Sequence, residues 1–336
     1  MDERNLMAEH RVFNENGWTL PKSDAYCASL TKSHYENFTV GSWFLPKGML
    51  KHIYALYSYC RSVDDLGDED LQDNIGNLCT YYTHDNSNAT QLHRVENLEI
   101  SRRLCLLDQW ESKLKSCYLG TPQHPVFVSL QRTIAEFNLP IDPFLKLIEA
   151  NRMDQNIHRY STYEQLLDYC DHSANPVGRL FLGIFGYTDL ELGELSDATC
   201  TALQLTNFWQ DVGRDYLNDR VYVPREDWIR FGCTENDFGP GAPSKNYREM
   251  MRFQESRTMD LYRRGSILAE KLGGRVKLDV ALFSKGGIAV LETIKRQHYD
   301  VFTKRPTLGK GRKIALFLNT WLAYKLGFKL QPKGRI

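Results

Sequence analysis

Two acidic clusters stand far apart in the chain, Asp64-Asp65-Leu66-Gly67-Asp68-Glu69 and Asn207-Phe208-Trp209-Gln210-Asp211-Val212-Gly213-Arg214-Asp215. On a helix, residues four apart share a face, so Asp64 and Asp68 project together, as do Asn207, Asp211 and Asp215 over two turns. Alone, each row repels itself. Hard oxygen ligands on one face suit Mg²⁺, which takes one or two carboxylates per ion and fills its octahedron with water and phosphate oxygens. The implied ligand is a diphosphate. A charge run on a helix is more often a solvated face, but the flanks here argue otherwise. Met49, Leu50, Ile53, Leu56, Tyr57 and Cys60 recur at helical spacing before the first row. Before the second, Ala202, Leu203, Leu205, Thr206, Phe208 and Trp209 leave little polar surface beyond Gln204, Asn207, Gln210 and Asp211. Polar groups in an otherwise buried helix line a cavity or find a partner.

The elements that must carry these rows are helical. Periodicity predicts helices over roughly 22–36, 47–63, 97–117, 124–137, 141–153, 163–185, 190–217, 244–271, 276–303 and 310–327, with no convincing alternating strands. Breaks fall at Leu45-Pro46-Lys47-Gly48, Gly120-Thr121-Pro122, Leu139-Pro140, Gly186 and Gly239-Pro240-Gly241, and Thr83 to Thr90 reads as an exposed loop. No linker imposes a boundary, so one all-α domain is expected, with residues 1–32 as an N-terminal segment, 33–305 as its body and 306–336 as a basic C-terminal helix and tail.

At 336 residues the chain can bury a sizeable core. Lys plus Arg and Asp plus Glu are 42 each, so no bulk field favours nucleic acid, and electrostatic recognition must be local. The eight cysteines show no CxxC pair and no metal-ligand spacing with histidine. The N-terminus Met1-Asp2-Glu3-Arg4-Asn5 lacks the basic-then-apolar order of a signal peptide, and a reducing cytoplasm is the expectation. After Asp300 there is no acidic residue, while Lys304, Arg305, Lys310, Arg312, Lys313, Lys325, Lys329, Lys333 and Arg335 surround the apolar stretch Ile314 to Phe328. That stretch is shorter than the ~20 residues of a membrane span. Two readings stay open for it: peripheral contact with the inner face of the cell membrane, or an ordinary packing helix with a basic tail.

Four blocks resemble the squalene/phytoene synthase family, whose members couple or rearrange prenyl diphosphates. They are Ile53 to Asp65 continuing to Asp68-Glu69; Tyr160-Ser161-Thr162-Tyr163-Glu164-Gln165-Leu166; Tyr169-Cys170 through Ser173-Ala174-Asn175-Pro176-Val177-Gly178; and Gln204 to Pro224, closing with Arg220-Val221-Tyr222-Val223-Pro224. Order and spacing agree from about residue 33 to 305. Within the family, Tyr35-Glu36-Asn37-Phe38-Thr39-Val40-Gly41-Ser42, Ser173 to Arg179, and Asn207 to Asp211 are similar to the bacterial hydroxysqualene synthase branch of hopanoid and squalene biosynthesis. Asn175-Pro176 and Gln210 depart from many relatives and favour that specialised branch.

The resemblance implies an isoprenoid synthase fold around an apolar cavity, with the acid rows facing at its mouth and Mg²⁺ as cofactor. It implies presqualene diphosphate as substrate, converted with water into hydroxysqualene and diphosphate. Supply by a presqualene diphosphate synthase and reduction by a separate enzyme would bracket that step. Asp64, Asp68, Asn207, Asp211 and Asp215 form the expected metal set. Arg61 is the candidate diphosphate grip through its planar donor fork, against the alternative of a salt bridge to its own acidic row. Asp65 and Glu69 point off the metal face as supporting partners. Tyr57, Tyr169, Phe181 and Trp209 are candidate cavity aromatics for a carbocation, though such stripes are more often plain core. By resemblance, His34, Tyr35, Glu36 and Asn37 close the diphosphate end, with Gln204 and Tyr299 completing it. Asn175, Gln210 or Tyr169 could hold the water, and the sequence does not choose among them. The competing activities are presqualene diphosphate, dehydrosqualene or phytoene synthase, and, from another class, a noncatalytic scaffold keeping only the fold.

Overall fold

The computed structural model describes residues 17–33, 45–68 and 90–331, with Asp68 and residues 90–97 described by their backbone alone. Among these, regular structure is helical, and the sole extended pairing is an isolated parallel bridge between Arg159 and Val221. The helices are α1 (Leu20–Ser33), α2 (Leu50–Asp68), α3 (Thr90–Tyr118), α4 (Pro125–Phe137), α5 (Asp142–Asp154), α6 (Tyr163–Ser173) and α7 (Asn175–Ile184). There follow α8 (Leu190–Leu217), α9 (Arg225–Phe231), α10 (Lys245–Gly265), α11 (Leu268–Lys271), α12 (Val276–Arg296) and α13 (Lys310–Lys325).

In α2, Ile53, Leu56, Tyr59 and Val63 recur at helical spacing and are buried against α1 and α4. Two polar groups of α2 find partners in that interface: Ser58 Oγ donates to the Cys27 carbonyl at 3.2 Å, and His52 Nδ1 meets Thr133 Oγ1 at 3.0 Å. Burial holds the His52 imidazole below its ordinary range. The helix runs five residues beyond the expected end at 63, so the first acidic row is its own last turn.

The long helix α8 is capped by Asp189, whose side chain accepts from the Glu191 and Leu192 amides. It is buried along Leu195, Ala198, Ala202, Leu205, Phe208 and Trp209. It packs most extensively on α10, where the crossing is close enough that a Cβ on Gly265 would stand 2.7 Å from the Thr199 backbone nitrogen. Trp209 Nε1 donates to Thr258 Oγ1 at 2.9 Å and Thr206 shares a hydrogen bond with Tyr262 at 2.9 Å, fixing the rotation of α8 about its axis.

Three expected helices are cut short. The span 163–185 divides at Ala174 because Pro176 has no N–H to continue the ladder and instead opens α7. The span 244–271 divides at Gly265-Ser266 into α10 and α11. The span 276–303 stops at Arg296, since His298 and Tyr299 take left-handed φ values of 52° and 61°. Short α9, after Pro224, was not anticipated.

Candidate active site

A cavity of about 300 Å³ joins the two acidic rows. Asp64 enters from α2; Asn151 and Asp154 from α5; Tyr169 and Ser173 from α6; Gln204, Asn207, Phe208 and Asp215 from α8. Arg220 and Tyr222 close it from the segment after α8. That segment is held by Arg220 N–H donating to the Asp215 carbonyl at 2.8 Å and Val221 N–H to the His158 carbonyl at 2.9 Å.

The first row sits against α5 through a close approach at Gly67, where a Cβ would lie 2.3 Å from Asn151 Oδ1. The Gln155 amide also donates to the Gly67 carbonyl at 3.0 Å. Both rows lie toward the C-terminal ends of their helices, where the helix dipole adds negative potential. Acids are disfavoured there unless cations join them, and a divalent cation would be drawn by carboxylates and helix ends together. Burial and the neighbouring Asp211 charge push the Asp215 carboxyl up to about 7, with Arg220, Arg214 and Arg305 opposing.

Asp211 is buried and held by a half-exposed guanidinium: Arg305 Nε donates to Oδ1 at 2.5 Å and Nη2 to Oδ2 at 2.8 Å. This bidentate pair places one positive charge on the second row. Arg61 is engaged within its own helix, Nη2 to Asp65 Oδ1 at 2.5 Å, which is the salt bridge to its own acidic row that stood as the alternative to a diphosphate grip. Tyr57, one turn earlier, is half-buried, and burial pushes its phenol up, with Arg61 opposing and Asp64 and Asp65 adding.

At the inner wall, Tyr169 Oη donates to Asp154 Oδ2 at 2.7 Å. Phe208 and Tyr222 stack at 3.8 Å with 8° between their planes, and Tyr169 lies 6.0 Å from Phe208. The cavity thus has an ionic end and an aromatic wall.

Asp64, Asn207, Asp215, Gln204 and Tyr169 share this cavity; Asp211, on the same helix row, does not line it and is buried against Arg305. Asp68 ends α2 and is described by its backbone alone. His34, Tyr35, Glu36, Asn37 and Glu69 lie outside the described residues. Three expected positions are turned elsewhere. Gln210 donates its amide to the Pro306 carbonyl and so tethers the segment that carries Arg305. Asn175 accepts from Thr201 Oγ1 at 2.9 Å, donates to Asp171, and lines a separate groove beside α7. Tyr299 is buried and donates to Glu255 Oε2 at 2.5 Å. Of the three candidate water holders, Tyr169 is the one lining the cavity, because α6 is rotated by its buried Leu166 and Cys170. Trp209 and Phe181 are core packing.

Asp154, Asn151, Arg220, Tyr222 and Arg305 were not singled out by sequence reasoning. Arg220 and Tyr222 lay inside a recognised block, which was a usable signal. Asp154 and Arg305 had none, since their approach depends on how α5 and the 297–309 segment pack.

The residue pattern matches the squalene/phytoene synthase family model over residues 31–312. The chain belongs to the squalene/phytoene synthase family. The phytoene synthase of Arthrospira platensis is 30% identical over 308 residues, covering 87% of this chain and 91% of that protein. The squalene synthase HpnC of Alicyclobacillus acidocaldarius is 41% identical, covers 83% of this chain and 95% of its own, and superposes with a TM-score of 0.71. A dehydrosqualene synthase crystallised with a ligand superposes with a TM-score of 0.75 at 23% identity, a likeness of fold. The chain has the all-α isoprenoid synthase fold and is an enzyme of a prenyltransferase-type family.

Among the described residues no three His, Cys, Asp or Glu side chains converge on one point. The donor set nonetheless fits a metal that needs one or two carboxylates and takes its remaining oxygens from water and diphosphate. The raised Asp215 gives a test. Its folded pKa stands above the unfolded value, so the native state binds more protons and stability falls as pH rises from about 4 to about 7. In chelator, Asp215→Asn should leave melting unchanged near pH 4 and raise it increasingly up to pH 8. The shift corresponds to at most roughly 4 kcal/mol. A melting difference that does not vary with pH would remove the coupling.

Proposed function

We propose that this enzyme is a hydroxysqualene synthase, taking presqualene diphosphate and water to hydroxysqualene and diphosphate. The observation that carries the reading is the 41% identity to the HpnC squalene synthase across nearly all of that chain. Mg²⁺, held by Asp64, Asp68, Asn207, Asp211 and Asp215, would neutralise negative charge developing on the departing diphosphate. Arg220 lines the same cavity and would orient the leaving oxygens through its donor fork, while Arg61 and Arg305, paired with Asp65 and Asp211, bring positive charge to the two acidic rows. The faces of Phe208, Tyr222 and Tyr169 shield the carbocation without attacking it. Tyr169, fixed by Asp154, has its phenol well above the ordinary range, chiefly through burial, so it stays neutral and can accept a hydrogen bond from the attacking water. On this reading the substrate is supplied by a presqualene diphosphate synthase and the alcohol passes to a reductase.

A second reading, condensation of two prenyl diphosphates, is favoured by the 30% identity to a phytoene synthase over most of both chains. Product analysis separates the two. With presqualene diphosphate, Mg²⁺ and ¹⁸O-labelled water, the expected product is an alcohol carrying the label. Consumption of farnesyl or geranylgeranyl diphosphate alone to a hydrocarbon or to presqualene diphosphate, with no labelled alcohol, would overturn the first reading.

A further inference from the structure

No described helix is long and apolar enough to cross a membrane, and α13 has 16 residues. Its inward side is settled by buried Thr320 and half-buried Phe317 and Tyr324. Its outward side is apolar as well. Ile314, Leu318 and Leu322, spaced by four, are 58%, 52% and 51% exposed, and Leu326 and Phe328 continue the patch at 60% and 64%. A solvated helix face normally carries polar residues here, and a contiguous apolar patch marks an interaction surface. The face is also held in place. Arg312 Nη2 bonds Glu292 Oε2 at 2.6 Å near the start of the helix, and beyond its end Leu330 is fully buried while its N–H donates to Glu270 Oε1.

We propose that this outward face of α13, with the turn after it, is a docking surface for an anionic phospholipid membrane, the helix lying along the headgroup boundary. Charge selects that occupant. Lys310, Lys313, Lys325 and Lys329 are exposed around the patch, and the chain has no acidic residue after Asp300. A second copy docking face to face would bring the same positive rim against itself, whereas phosphate headgroups match it and acyl carbons take the leucines. Lys325 Nζ lies 5.9 Å over the Trp321 ring, so an aromatic and a cation meet at the depth where interfacial tryptophans sit. The helix starts five residues after Arg305, and Pro306 in that link is held by Gln210. The docked face is therefore joined to the second acidic row by a short, fixed connection.

The full chain should co-sediment with vesicles of mixed phosphatidylcholine and phosphatidylglycerol, far less with pure phosphatidylcholine, and be partly released by salt. Each lysine near an anionic surface is worth roughly a fivefold change in affinity, so Lys313→Glu/Lys325→Glu/Lys329→Glu should weaken binding by about 100-fold or more. Leu318→Glu/Leu322→Glu should also detach the protein, while turnover of detergent-dispersed substrate stays at the wild-type rate in both variants. Absence of binding to phosphatidylglycerol vesicles, or binding unmoved by charge reversal, overturns the proposal. So does a dimer in light scattering that Leu318→Glu/Leu322→Glu dissolves, which assigns the face to a second copy. A large fall in melting temperature in that variant also overturns it, since the chain itself would then cover the face.

Discussion

Asp64→Ala and Asp211→Ala should each lower turnover on the order of 1,000-fold or more, as loss of charge neutralisation at a leaving group does, while the fold survives. Asp64 is exposed on the last turn of α2, where a negative charge opposes the helix dipole, so its removal costs the fold little. Asp211 is buried, but its partner Arg305 is half-exposed and can turn to water when the carboxylate is gone. Removing Asp211 also relieves the repulsion that pushes Asp215 up to about 7, so the Asp215 carboxyl should titrate lower in that variant. The measurements are product formation at saturating Mg²⁺ and thermal unfolding in chelator. Activity near the wild-type level in either variant, or in wild type with chelator present, would sink the metal assignment.

The parts of this site legible in the sequence are those set by local periodicity. Asp64, Asn207 and Asp215 were recoverable because i, i+4 spacing places them on one helix face whatever that helix packs against. Tyr169 was recoverable as one of three alternatives, not as the choice, because deciding among them needs the rotation of α6 against α5. Gln210 illustrates the limit. Its place among the polar groups of a largely apolar helix made it a candidate to hold the water, yet its amide reaches the Pro306 carbonyl, a partner 96 positions away. Arg305 is the same contact seen from the other side. It follows a chain reversal at His298 and Tyr299 whose left-handed backbone no propensity for histidine or tyrosine would forecast. The helix divided at Ala174 was a different kind of miss, since Pro176 was in plain view, but proline at the second position of a new helix and proline kinking an old one read alike.

Gly67→Ala should cost activity through position alone, with no catalytic group touched. The added Cβ would stand 2.3 Å from Asn151 Oδ1, 3.1 Å from its Cγ and 3.3 Å from its Cβ, so rotating the amide does not clear the clash. Asn151 is buried with its Nδ2 donating to the Leu147 carbonyl at 3.1 Å, which limits its retreat. The end of α2 must then move off α5, straining the Gln155 bond to the Gly67 carbonyl. Overpacking of this kind costs about 1–3 kcal/mol. Because Asp64 rides on the same turn, a displacement of about 1 Å should lower turnover roughly 100-fold. Asn151→Ala in the Gly67→Ala background opens the space and should recover most of the stability and part of the turnover, the remainder being Asn151's own place in the cavity wall. If the double variant were no more active or stable than Gly67→Ala alone, the close approach at Gly67 would not be what sets the first acidic row against the second.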